Sequence, residues 1–196
     1  MKKSKITLLI NEFKDLMEKM LVDDGELSPT IGIIAQKQEA KDETERDHLM
    51  ICPLPDRLLE TRDSKAFLME DILPKLGDKL TKDKFTVVGS IFAYVGLVRT
   101  VPTDKLDGKS VEEVTEDDIK SVKPKEILFL HYQSEDDNIV NAFNIARKGK
   151  AVNAEGNLVD IVTLTKNSKM SAKTTDPVVI GGSLSAVYKQ ITKNVK

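Results

Sequence analysis

The sequence is short of the residues from which most catalytic and metal centres are built. Its 196 residues include two histidines (His48, His131), one cysteine (Cys52) and no tryptophan. Metal sites, nucleophilic triads and redox pairs draw heavily on His and Cys. Here those residues all fall inside apolar, strand-like runs, and no complete catalytic motif surrounds them. A single cysteine cannot close an internal disulfide, which favours a reducing cytosol. Arginine is scarce as well: Arg46, Arg57, Arg62, Arg99 and Arg147 stand against 25 lysines. Arginine supplies bidentate recognition of phosphate and carboxylate, while lysine is a solvated point charge, so the positive charge reads as solubility. The net charge of −2 lacks the basic excess of a dedicated nucleic-acid binder. The most apolar run, Thr86 to Val98, is too short for a membrane span, and the segment from Ile6 is amphipathic rather than a signal-peptide core. A soluble, cytoplasmic protein without a cofactor or a membrane is expected.

What is present is regular periodicity. Ile6, Leu9, Ile10, Phe13, Leu16, Met17 and Met20 recur at helical spacing up to an Asp23-Asp24-Gly25 stop. Thr30 to Gln38 and His48 to Cys52 read as an antiparallel strand pair. A second helix is predicted from an N-cap at Asp63 or Ser64, with Pro74 interrupting its stripe. Phe85 to Arg99 is apolar on both parities and predicts a central strand covered on both faces. Glu126 to Gln133 and Leu158 to Leu164 are further strands, and Ile139 to Arg147 is a strand or a helix. The apolar run Pro177 to Ile180, a Gly181-Gly182-Ser183 turn and a helix carrying Leu184, Val187, Tyr188 and Ile191 close the chain.

The expected fold class is therefore α+β: a mainly antiparallel sheet of five to six strands with helices packed on its faces, in the order α-β-β-α-β-β-β-α. One domain should span 1–196, with a long acidic insert at about 100–125 and a mobile polar loop at about 165–176. This element order is similar to the roadblock and profilin-like folds, a resemblance that implies pairing of two copies. Three short stretches also resemble small proteins of phage and mobile-element genomes. They are Pro53-Leu54-Pro55-Asp56, Asp71-Ile72-Leu73-Pro74 and Gly149-Lys150-Ala151-Val152-Asn153-Ala154-Glu155-Gly156. That resemblance implies an accessory role and carries no active site.

Several residue sets invite a functional reading, each beside a plainer one. His48 and Cys52 share a strand face but lie roughly 13 Å apart along it, too far for a nucleophilic pair. His131, Asp160 and His48 would form a hydrolase or metal site only by converging from separate strands. Gly181-Gly182-Ser183 before a helix could hold an anion under Lys166, Lys169 and Lys173, or serve simply as a cap. Glu112, Glu113, Glu116, Asp117 and Asp118 offer a docking surface for a basic partner, although Thr115 with Asp118 fits a capping box. Arg99 and Arg147, each closing an apolar strand, are placed to anchor a carboxylate. Three functions stay open: a non-enzymatic protein acting by protein–protein interaction or self-association as a homodimer, a binder of a small nucleotide-like anion, and a hydrolase.

Overall fold

The apolar stripe of the N-terminal segment forms helix α1 (Lys3–Asp24), which ends at Gly25 as its sequence requires. It belongs to a computed structural model that describes residues 3–40, 46–99, 113, 115–152, 156–168, 170–173 and 186–194. Seven strands follow: β1 (Thr30–Lys37), β2 (Asp47–Pro53), β3 (Phe85–Val98), β4 (Lys125–Gln133), β5 (Asn138–Val152), β6 (Leu158–Lys166) and the short β7 (Ala172–Lys173). They make one antiparallel sheet in the order β2-β1-β3-β4-β5-β6, with β7 beside β5. The α+β expectation holds, and β3 is central, as its two-sided apolarity demands. The segment at 139–147, open between strand and helix in the sequence, is strand.

Alternation along the strands decides which face each side chain serves. Ile34 of β1, Ile91 and Ala93 of β3, Leu128, Leu130 and Tyr132 of β4, Phe143 of β5 and Val162 of β6 point to one face. There they pack on Ile10, Phe13, Met17 and Leu21 of α1. The helix comes closest to β6, so the sheet curls round it. On the other face Ile31, Ile33, Val87 and Phe92 meet Leu68, Met69, Leu73 and Leu80. A third cluster joins Ile127, Phe129, Val140 and Ala142. The rings of Phe92, Tyr94 and Phe129 link the last two clusters by stacking, with centroids 5.3 and 5.1 Å apart.

The helical connection between β2 and β3 differs in detail from its sequence reading. Helix α2 (Arg62–Phe67) is capped by Thr61, not by Asp63 or Ser64. Thr61 Oγ1 accepts the Ser64 N–H at 3.0 Å, and Ser64 Oγ accepts the Thr61 N–H at 3.1 Å. The nominated Ser64 is thus the far half of a capping box, which closes two free N–H groups at once. Pro74 interrupts the helix as predicted. It has no N–H to return to the residue four back, and one π-turn (Leu68–Ile72) precedes α3 (Leu73–Lys82), in which Pro74 is second.

Helix α4 (Glu116–Lys120) follows its Thr115–Asp118 capping box, and α5 (Val187–Ile191) packs on α3. Within the stretch read as a polar loop, the Asn167 N–H donates to the Ala142 carbonyl at 2.7 Å, and β7 pairs with β5. The described part of that stretch is stitched to the sheet. The apolar run at 177–180 and the turn after it lie outside the described residues. Among the described residues no helix is long and apolar enough to cross a membrane.

The α3–α5 contact generates a test. A Cβ on Gly77 would stand 1.8 Å from the Ile191 carbonyl oxygen, so α5 can approach only because position 77 has no side chain. Helix propensity alone predicts that Gly77→Ala stabilises by about 1 kcal/mol. Steric conflict with a backbone atom predicts the reverse, a loss of about 1–3 kcal/mol in urea unfolding. A stabilised Ala variant would refute this packing.

Candidate functional site

Four polar residues are buried among the described ones: Thr30, Ser90, His131 and Gln133. Three of them sit side by side where β3 meets β4, since Ser90 pairs with Gln133 and Phe92 with His131. All three point away from α1, because their neighbours Ile91, Leu130 and Tyr132 point toward it. His131 Nε2 donates to Asn138 Oδ1 at 2.5 Å, and Gln133 Oε1 accepts the Tyr188 N–H at 3.3 Å. Ser90 Oγ is buried without a partner. Burial lowers the His131 pKa, with the Asn138 bond acting the other way. His131 is thus a neutral ring held by an amide, and the row fastens β4 to the start of β5 and to α5.

The residues nominated as a hydrolase do not converge. His48 is on edge strand β2, with β1 and β3 between it and β4, and its ring packs edge-on against Phe85 with centroids 5.1 Å apart. Asp160 lies on the α1 face of β6, the parity of Val162 and Leu164, whereas His131 is on the opposite face of β4. Asp160 is bound instead to Arg147 Nη1 at 3.2 Å, and Glu126 to Arg147 Nε at 2.9 Å. Arg147 does anchor carboxylates, but they are the chain's own. The Glu126 hydrogen bond leads in raising its pKa. Cys52 is half-buried, and burial pushes its thiol up, away from the reactive thiolate. Among the described residues no group of three or more His, Cys, Asp or Glu is placed to hold a metal ion.

The remaining nominated residues separate likewise. Gly181, Gly182, Ser183 and Lys169 lie outside the described residues, as does the side chain of Lys173; Lys166 is exposed at the end of β6. Glu112 is outside too, while Glu113 and Asp117 are exposed. Glu116 pairs with Lys120 at 2.8 Å, and Asp118 Oδ2 accepts the Thr115 N–H at 2.9 Å. Arg99 is exposed just beyond β3. Two of the five acidic residues, Glu116 and Asp118, are therefore engaged in holding their own helix.

What the sequence reading missed is a cleft of about 560 Å³ at the end of the sheet where β4 stops. β4 ends opposite Ser90, so Thr86, Val87 and Val88 of β3 extend past it. The turn after β4 is tied by the Ser134 N–H donating to the Asp137 carbonyl (2.9 Å) and the Asp137 N–H to Ser134 Oγ (3.0 Å). That closure carries Ser134, Glu135, Asp136 and Asp137 along the cleft, with Ile6, Tyr132 and Tyr188 on its walls. Four separate elements supply these residues, so no local motif marks them; the run Glu135-Asp136-Asp137 was the one available signal, and turn chemistry accounts for it equally well. Compared with known protein families, curated proteins and solved structures, the chain matches none.

The three tyrosines of the chain all have raised pKa values. Burial pushes Tyr94 up to about 12. Burial also leads for Tyr132, reinforced by Asp137 and Asp136 against a lowering pull from Ser134, and for Tyr188, reinforced by Glu135. A group with a raised folded-state pKa contributes fully below its unfolded value and loses that contribution as pH climbs to the folded one. Unfolding free energy should therefore hold up to about pH 10 and fall between there and about 12. Tyrosinate absorbance of the native protein followed through the same range checks this, and a native midpoint at 10 would contradict it.

Proposed function

We propose that this chain is a non-enzymatic binding protein that acts by pairing with a protein partner, in the first instance a second copy of itself, along the outer edge of β6. One observation carries the reading. β6 ends the sheet and has no further strand beside it among the described residues, and apolar side chains stand exposed at that end of the molecule. Val152 and Leu158, paired across the β5–β6 hairpin, are 67 and 65 % exposed, and Ile161 is 44 % exposed. An edge strand of this kind is a template for further pairing.

The sequence of β6 is self-complementary about a two-fold axis. Antiparallel pairing centred on Thr163 sets Asp160 of one copy opposite Lys166 of the other and Val162 opposite Leu164. Opposite charges placed directly across strands favour that register. In its finer form the reading is of a cytoplasmic homodimer serving a phage or mobile element. The unpaired cysteine supports the compartment, and the resemblance of the Pro53-Leu54-Pro55-Asp56 and Asp71-Ile72-Leu73-Pro74 stretches supports the setting.

Light scattering at two concentrations tests the pairing against the chain mass of 21.8 kDa. The native protein should run at twice that mass. Thr163→Lys, which sets like charges face to face on the axis, should run as a monomer. Position 163 is exposed, so its stability as a folded chain should change by no more than about 0.5 kcal/mol. A native monomer at both concentrations, or an unaltered Thr163→Lys dimer, would remove this interface.

A further inference from the structure

We infer that the cleft beyond the end of β4 takes an extended segment of a partner protein, which adds to β3 as a short antiparallel strand headed by a basic residue. The inference is independent of pairing through β6. Its first support is the backbone. β4 reaches only to Ser90 of β3, so Phe85 to Val88 have β1 on one side and, among the described residues, no strand on the other. The Gln38 N–H donates to the Lys84 carbonyl at 2.9 Å, so that carbonyl is turned toward β1. In a trans peptide the following N–H points the opposite way, and the Phe85 N–H therefore faces the cleft. Alternation along the strand gives Val87 the same orientation. Strand groups left open in this way are the template for strand addition.

The second support is enclosure. Ile6 packs with the cluster on the α1 face and Tyr188 with the cluster on the other, and both line the cleft. A segment lying there is covered above and below, as the neighbouring strands are. The Ser134–Asp137 turn shuts the inner end. The open stretch of β3 spans roughly 10 Å, room for about three or four residues of extended chain. Charge sets the head of the segment. Glu135 and Asp136 are exposed on that turn, and neither is engaged in an ion pair among the described residues. An antiparallel neighbour of β3 runs outward from the turn, so its first residue meets these carboxylates, and a lysine or arginine there is complementary. The residues after it alternate between Ile6 and Tyr188, which suits β-branched side chains.

The probe is the capped pentapeptide Lys-Val-Thr-Val-Thr, titrated into the full chain and followed by amide hydrogen exchange. Saturation should slow exchange of the Phe85 and Val87 amides by at least about tenfold and leave Thr86, which faces β1, unchanged. N-methylating the peptide amides that face β3 should weaken binding about tenfold, and methylating those that face away should not. Glu135→Lys with Asp136→Lys, both at exposed positions, should reverse the preference, so that Glu-Val-Thr-Val-Thr binds tighter than the lysine peptide. No saturable binding, equal affinity of the methylated and parent peptides, or no protection at Phe85 and Val87 would overturn the proposal. Protection present before any peptide is added would overturn it too. If independent of protein concentration, it assigns the slot to the chain itself; if rising with concentration, to a second copy. Repeating the titration on the Thr163→Lys protein keeps the outcome distinct from failure of the β6 interface.

Discussion

The contact of Phe13 with Gly32 is the seam on which the molecule is assembled. A Cβ at position 32 would stand 2.7 Å from the Phe13 ring, so the fully buried aromatic lies directly on the backbone of β1. That close approach fixes how near α1 sits to the sheet. A helix is about 10 Å across, whereas six strands at about 4.8 Å spacing are more than twice as wide. One helix covers such a face only if the sheet bends toward it, and the single cluster running from Leu49 on β2 to Leu164 on β6 records that bend. Curl and coverage therefore have one cause. What the helix does not reach is left over at the two ends: Ile6 opens onto the cleft, and Leu97, Val152 and Leu158 remain exposed beyond its other end.

The opposite face is divided, and its buried polar row lies at the division. The α2–α3 connection and α5 cover β2, β1 and β3, while Ile127, Phe129, Val140 and Ala142 form their own cluster on β4 and β5. Ser90, His131 and Gln133 stand between these two packings. Bonds from His131 to Asn138 and from Gln133 to the Tyr188 backbone each join separate pieces of chain. Slipping β4 by one residue would turn both side chains to the α1 face and strand them among hydrocarbon. The row therefore fixes register, which is sufficient reason for a histidine with no carboxylate beside it.

Local periodicity made the larger elements legible. The stripe from Ile6 to Met20, the two-sided run of β3 and the Pro74 break all emerged where spacing placed them. The Thr61 cap was hidden because Asp63 and Ser64 are equally good capping residues, and only geometry shows which N–H groups need closing. β5 was ambiguous because Asn141 and Asn144 break its apolar alternation and its register shifts between Arg147 and Lys150. The ion pairs of Arg147 were half legible: a scarce arginine at a strand end signals a carboxylate, but not that Glu126 and Asp160 come from the adjoining strands. The cleft was illegible for a stronger reason. Its tyrosines lie more than fifty residues apart on β4 and α5, and nothing local records that β4 stops short of β3.

The two edges of the sheet are treated differently, and the difference bears on function. β2 is the shorter, at seven residues, and it ends in Pro53, which has no N–H to offer a neighbour. At its other end Asp47 is bound by Lys5 of α1 and by Gln36, which hold its carboxyl below the usual range against the opposing pull of burial. β6 is longer, at nine residues, has no proline, and carries the β-branched side chains Val159, Ile161, Val162, Thr163 and Thr165. Those residues favour extended backbone and pack well against a facing strand. Its charges, Asp160 and Lys166, are of opposite sign and evenly spaced about Thr163, whereas a protected edge carries like charges that repel a copy of itself. Among the described residues, one edge is closed by the chain's own chemistry and the other is left able to pair.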